Sequence, residues 1–209
     1  MKTLLAYHDD PKVKAKYLSR VRAHRKADEL VKGIGWESNG KTRGCAVGCT
    51  LDAYNHSKYP VELGVPVEIA HLEDAIFEGL PQELAMEWPE RFLKAIKPGA
   101  DLSLVFPQFI LWLLADDDSP QAEGVKHPLV KDAVAVVAEL YRQWVKMKKR
   151  PTESAAWSAA SAAWSAAKSA AESAESAARN AAESAAWSAA WSAAFKKMAD
   201  KLVGLLKKS

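Results

Sequence analysis

Residues 153–195 read ESAAWSAASAAWSAAKSAAESAESAARNAAESAAWSAAWSAAF. Alanine is the strongest helix former, and neither Gly nor Pro interrupts the chain until Gly204, so the stretch predicts one long helix. Run from Glu153 to the end, it would be roughly 80 Å long at a rise of 1.5 Å per residue. Its larger side chains are Trp157, Trp164, Lys168, Glu172, Glu175, Arg179, Glu183, Trp187, Trp191 and Phe195, mostly spaced by four with occasional threes. Each step of four overshoots a full turn by about 40°, so the stripe rotates around the helix and does not make a simple heptad coil. The Ala and Ser faces permit close helix approach. The segment therefore reads as an oligomerisation or packing helix. Its end, Lys196 to Lys208, is basic and amphipathic, with Met198, Leu202 and Leu205 on one side, which also admits an interfacial membrane helix.

Helical periodicity extends upstream. Asp10-Pro11 is an N-cap followed by proline at the first helical position. Val13, Tyr17, Arg20/Val21, His24, Ala27 and Val31 then recur at helical spacing until Gly33 and Gly35. Trp36 to Arg43 is a polar loop with a turn at Asn39-Gly40, and Gly44 to Tyr54 is a helix of small residues. Asn55 to Pro66 is a connection. Helices open at Pro66 and Pro81, the latter kinked or restarted at Trp88-Pro89. Ser103 to Leu114 is apolar nearly all round and predicts a buried central helix. Asp116 to Lys126 is a loop, and His127-Pro128 starts a helix that leads to a basic hinge at Lys146 to Pro151. The fold class is all-α: a compact multi-helix domain over 1–150, followed by a long Ala/Ser-rich C-terminal helix over 151–209.

Composition excludes several function classes. The net charge of +3 is too small for a nucleic-acid binder, and Leu102 to Ala115 is too short to span a membrane. Charge is nevertheless segregated along the chain. Lys2 to Lys26 holds eight Lys/Arg, whereas Glu62 to Glu90 holds eight Asp/Glu and no Lys or Arg. One positive and one negative surface region are expected, with an anion favouring the N-terminal part. Two cysteines, Cys45 and Cys49, are too few and too close for a disulfide framework, which implies a reducing compartment.

Gly35-Trp36-Glu37-Ser38-Asn39-Gly40-Lys41-Thr42 matches the spacing of a phosphate-binding loop, but that motif needs a strand before it, and here a helix precedes it. A weaker reading survives, in which Lys41, Thr42, Arg43 and the free N–H groups at the start of the Gly44 helix cradle an anion. In Gly44-Cys45-Ala46-Val47-Gly48-Cys49-Thr50, helical spacing would put Cys45, Cys49, Asp52 and His56 on one face. Four readings follow: a zinc site completed by His24 or His71, although the two-residue Cys spacing is absent; a nucleophilic Cys45 with its pKa lowered by the helix N-terminus and Arg43; a helix that lets a ligand approach its backbone; or tight packing through Gly44 and Gly48 with inert thiols. Tyr17, Arg20 and His24 on one face could wall an anionic ligand, although an inward His is more often a hydrogen-bonded core residue. His71-Leu72-Glu73-Asp74 could supply acid/base groups, but such a helix is most often just solvated on its charged side. Asp116 to Asp118 lacks cation-loop spacing.

The segments Gly44–Thr50, Glu62-Leu63-Gly64-Val65-Pro66, Leu72 to Pro81 and Pro98-Gly99-Ala100-Asp101-Leu102 resemble a family of uncharacterised bacteriophage and prophage proteins. The resemblance covers roughly residues 1–145. It carries no assigned activity, hence no catalytic residues, and it implies a small accessory phage protein acting in the host cytoplasm. Such proteins often counter host defence, and sequestering a nucleotide immune signal needs a pocket and no catalysis. The expected function is a homo-oligomeric binding protein for a small anionic, nucleotide-derived ligand, without metal, cofactor, nucleic acid or membrane. Lys41, Thr42 and Arg43 would meet phosphate, Trp36 or Tyr54 would stack on a base, and Tyr17, Arg20, His24 and His56 would line the pocket beside Gly44, Cys45, Gly48 and Cys49. The alternatives are an enzyme that cleaves such a signal using Cys45 or a histidine, and a protein–protein inhibitor or structural phage component acting through its tail.

Overall fold

The computed structural model describes residues 4–38, 40–120, 131–152 and 184–209, with backbone alone for 184–190. The fold is all-α. Its helices are α1 (Pro11–Lys26), α2 (Ala46–Leu51), α3 (Tyr59–Leu63), α4 (Val67–Gly79), α5 (Gln82–Ala95), α6 (Val105–Ala115), α7 (Lys131–Met147) and α8 (Ser184–Lys208). The chain divides into one unit of residues 1–106 with 198–209 and another of residues 107–197. Among the described residues no helix is long and apolar enough to cross a membrane.

The first unit is built around α1, α4 and α5. The N-cap carboxylate Asp10 accepts from Lys12 N at 2.8 Å, and Pro11 fits the first turn of α1 because its missing N–H has no intrahelical partner there. This helix is shorter than its periodicity predicts. Asp28 adopts a left-handed φ of 54°, and the chain then pairs in extended form with Gly44 through Val31 N and Glu29 O. Backbone pairing replaces the last helical turn. Just before α1, Tyr7, His8 and Asp9 all have positive φ, an uncommon run for non-glycine residues. Tertiary bonds hold it: Tyr7 is fully buried and donates to Leu93 O at 2.8 Å, while Ala6 pairs with Ala100 O and Gly99 N.

Helix α5 continues through Pro89, where a kink or a restart was expected, so the helix does not restart there. Its C-terminal carbonyls receive an unusual cap, since Lys14 Nζ on α1 donates to Lys94 O at 2.9 Å and Ile96 O at 2.5 Å. Tyr59, Ile69, Phe77, Trp88, Phe92 and Leu93 are almost wholly buried and form the centre of this core.

The segregated charges meet at one seam. Because α1 packs on α5, Arg22 meets Glu90 at 2.8 Å and Arg25 meets Glu87 at 3.1 Å, so the basic and acidic stretches are paired at this contact. In the other unit, Val134, Val137, Tyr141 and Trp144 are half-buried along α7, and only Ala138 is fully buried on that helix. Asp116 begins a turn after α6, accepting from Asp118 N and Ser119 N. The expected start of α7 at His127 and the Ala/Ser/Trp stretch through Glu183 lie outside the described residues.

The end of α8 belongs to the first unit. Ala199, Leu202, Val203 and Leu206 are buried, whereas Met198 and Leu205 are only half-buried, so the inward stripe differs from the expected one. This apolar face is covered by the protein itself. Leu206→Ala should cost about 2–5 kcal/mol of stability through lost burial and a cavity, and Leu205→Ala distinctly less. Urea unfolding followed by circular dichroism measures both, and equal effects would show that the stripe is wrongly placed.

Candidate functional site

The loop after α1 returns as a small hairpin, with Trp36–Glu37 (β1) paired antiparallel to Arg43–Gly44 (β2). Gly40, at a φ of 89°, turns its tip, so the stretch that imitates a phosphate-binding loop closes on itself. The anion cradle does not assemble. Gly44 N donates to Glu29 O at 2.9 Å and Cys45 N to Gly35 O at 3.2 Å, which occupies two of the N–H groups the cradle would use. Arg43 pairs across the hairpin with Glu37 at 2.8 Å, Thr42 is half-buried, and Lys41 is exposed.

Glycines let this hairpin lie directly on α2. A Cβ at Gly48 would stand 1.9 Å from Gly35 O, and one at Gly35 would meet the Tyr54 ring at 2.6 Å. Gly44 and Gly48 are thus explained by packing, the simplest of the four readings of this segment. The two thiols fit that reading. Both are buried, and burial raises the Cys45 thiol well above its ordinary value, with the facing Asp74 carboxyl adding to the shift. The N–H groups of Gly48 and Val47 act the other way and do not win. The expected lowering of Cys45 by helix and Arg43 is therefore overturned by desolvation. Burial, then Glu29 and Asp52, pushes Cys49 up to about 12, and its Sγ donates to Gly44 O at 3.4 Å. No group of three His, Cys, Asp or Glu suited to a metal ion occurs among the described residues.

The shared face of Cys45, Cys49, Asp52 and His56 also fails, because α2 ends at Leu51 and Asp52 turns left-handed at a φ of 55°. This turn sends the four side chains to different neighbours and makes two clusters. In the first, Asp52 receives Arg20 Nε at 3.1 Å and His24 Nε2 at 2.8 Å. Glu29 takes the other ring nitrogen of His24 at 2.5 Å, and Trp36 meets the His24 ring edge-on at 5.6 Å. Arg20 also donates to Thr50 O at 2.9 Å. Asp52 is 46% exposed, so this cluster opens to solvent. Tyr17 backs it, with the Arg20 guanidinium 5.3 Å over its ring. Its ring is buried and its hydroxyl donates to Glu62 at 2.6 Å, with burial and that carboxylate raising its pKa.

The second cluster gathers on Asp74 of α4. One carboxylate oxygen, Oδ2, accepts from Tyr54 Oη and pairs with His56 Nε2, both at 3.1 Å. The His56 ring stacks on His71 with centroids 4.1 Å apart, and burial and this neighbour lower the His71 pKa. Burial, followed by Asp74, raises Tyr54 to about 12. Beside it, Glu73 is fully buried, bonded by Tyr59 Oη at 2.5 Å, with its Oε1 unpartnered. Glu73 and Asp74 are thus not on a solvated side. The sequence carried the signal: Glu73 lies four after Ile69 and three before Ile76, on the inward stripe itself.

No family model, curated protein or solved structure matches the chain.

Burial raises the Glu73 pKa to about 8, so the folded state keeps a proton that the unfolded chain loses from about pH 4.5 upward. Stability should therefore fall as pH rises from about 5 to 8. Its slope cannot exceed about 1.4 kcal/mol per pH unit for one proton. Urea midpoints across this range should show the decline in the wild type and a shallower one in Glu73→Gln. Parallel profiles would mean that Glu73 is ionised in the native protein.

Proposed function

We propose that the chain is a non-catalytic binding protein for a small anionic, nucleotide-derived ligand. In this reading it holds an immune signal out of circulation as a phage accessory protein in the host cytoplasm, and it acts as a homo-oligomer. The observation that carries the reading is the convergence of Arg20, His24 and Trp36 at one solvent-facing point. Arg20 Nε and His24 Nε2 both address the half-exposed Asp52 carboxylate, and the half-buried Trp36 ring lies against His24. These donors come from adjacent turns of one helix, and the aromatic ring comes from the hairpin that α2 holds beside it.

Asp52 acts here as an internal counterion. An incoming phosphate meets the same two donors and displaces this carboxylate, which is exposed enough to move aside. Charge-assisted bonds from Arg to phosphate are among the stronger polar contacts available to a protein. Trp36 offers a surface for a base, and Lys41 adds positive charge at the hairpin tip.

Two observations favour binding over cleavage. The thiols are protonated and buried, which leaves no activated sulfur nucleophile. The paired histidines His56 and His71 stack at 4.1 Å, too close to hold a phosphate between a general acid and a general base.

A panel of mono-, di- and cyclic oligonucleotides in a thermal-shift assay tests the reading, because a ligand specific for the folded state raises the melting temperature. Mass spectrometry of small molecules released on denaturation supplies an independent readout. Asp52→Asn should tighten binding about fivefold by removing a like charge worth roughly 1 kcal/mol at an exposed site, and Arg20→Gln should weaken it about tenfold. A panel without any shift, together with an empty release experiment, would rule the reading out.

A further inference from the structure

A polar hollow lies in the same unit, formed by α1, α5 and the end of α8. It has a volume of about 400 Å³ and is lined by Arg25, Arg91, Lys94 and Lys207, by Glu87 and Glu90, and by the apolar Ala95 and Val203. Four cations thus face two carboxylates. The carboxylates are already heavily used. Glu90 alone takes Lys94 at 2.7 Å, Arg22 at 2.8 Å and Arg25 at 3.6 Å, while Glu87 takes Arg25 at 3.1 Å. Arg91 is held from outside the hollow by the exposed Asp200 at 2.5 Å, and Lys207 makes no ion pair among the described residues. This contrasts with the Arg20–His24 cluster, where Arg20 and the His24 ring share the carboxylates of Asp52 and Glu29.

A cation in the last turn of a helix complements the carbonyl end of the dipole, which accounts for Lys94 and Lys207 one at a time. Arg91, a turn deeper in α5, has Asp200 as its partner, but neither the dipole nor that pair accounts for the gathering of three chain segments' cations around one cavity, with Lys207 left over. Uncompensated positive charge in a concave site concentrates field and attracts multivalent anions. A cavity of this size suits a small molecule rather than a protein segment.

We propose that this hollow binds a small phosphorylated ligand carrying two or more negative charges, with the phosphate between Arg91, Lys94 and Lys207 and the ligand's apolar part over Ala95 and Val203. The site is separate from the one around Arg20 and His24, and it stands whether or not that one binds a nucleotide. Binding is electrostatic in character and weakens with added salt.

Pyrophosphate titrated into the full-length chain at low and high salt, followed by amide chemical shifts, tests the proposal. A saturable perturbation centred on residues 91–95 and 203–208, weaker at high salt, is expected. The double variant Arg91→Gln/Lys207→Gln should bind about tenfold more weakly, because it loses two charge-assisted contacts. Arg20→Gln should leave this titration unchanged. Lys207→Glu breaks no ion pair and keeps the test available when the double variant does not fold. The proposal falls if these amides show no saturable shift, if the Lys207→Glu variant binds like the wild type, or if Arg20→Gln is the substitution that removes binding.

Discussion

The carbonyl oxygen of Gly35 occupies the position that a side chain at residue 48 would need, only 1.9 Å from where its Cβ would stand. This contact seats the hairpin on α2, and several features depend on it. It places Trp36 against His24, brings Gly44 between Leu30 and Trp36 as a shared backbone partner, and lets the Tyr54 ring close over Gly35. Dense packing leaves little room for adjustment, so a single methyl group here would separate the loop from the helix. The glycines and cysteines of this segment therefore serve assembly. The groups that meet solvent are the ones this contact positions at its margins.

Neutralisation is the second organising feature. The basic stretch of α1 and the acidic stretch that ends in α5 are far apart in sequence and meet in the fold, where Arg22 and Arg25 pair with Glu90 and Glu87. What remains is local. Arg20 and His24 share an exposed carboxylate, and the hollow beside α5 holds more cations than its carboxylates offset. Inside the core, the adjoining Glu73 and Asp74 are kept by opposite means. Asp74 is hydrogen-bonded by Tyr54 and paired with His56, whereas Glu73 is desolvated enough to hold its proton near neutral pH.

Much of the helical layout was legible in the residue order. Asp10-Pro11, Pro66 and Pro81 mark helix starts because they satisfy or remove the unpaired N–H groups of a first turn. The apolar run of α6 announces a helix but overstates its burial: Val105, Phe109 and Trp112 are buried, whereas Ile110, Leu111, Leu113 and Leu114 are half-buried. Boundaries decided by long-range pairing were not legible: α1 stops early because Val31 and Glu29 bond to Gly44, and α2 stops at Leu51 because Asp52 turns left-handed. Arg20, His24 and Trp36 were identifiable as residue types able to meet a base and a phosphate. Asp52 as the common partner of Arg20 and His24 was not, and neither was the pairing of the Tyr17 hydroxyl with Glu62 or of Arg43 with Glu37.

What the amino-acid order determined by itself was local: helix propensity, caps and breakers. These follow from interactions within a few residues, which the order states directly. Only the tertiary structure decided the ionisation of Cys45, Cys49 and Glu73, the cancellation of charge between α1 and α5, and the cavity that joins Arg91 to Lys207. Those depend on desolvation and on distances between groups remote in sequence, and both arise only once the helices have packed.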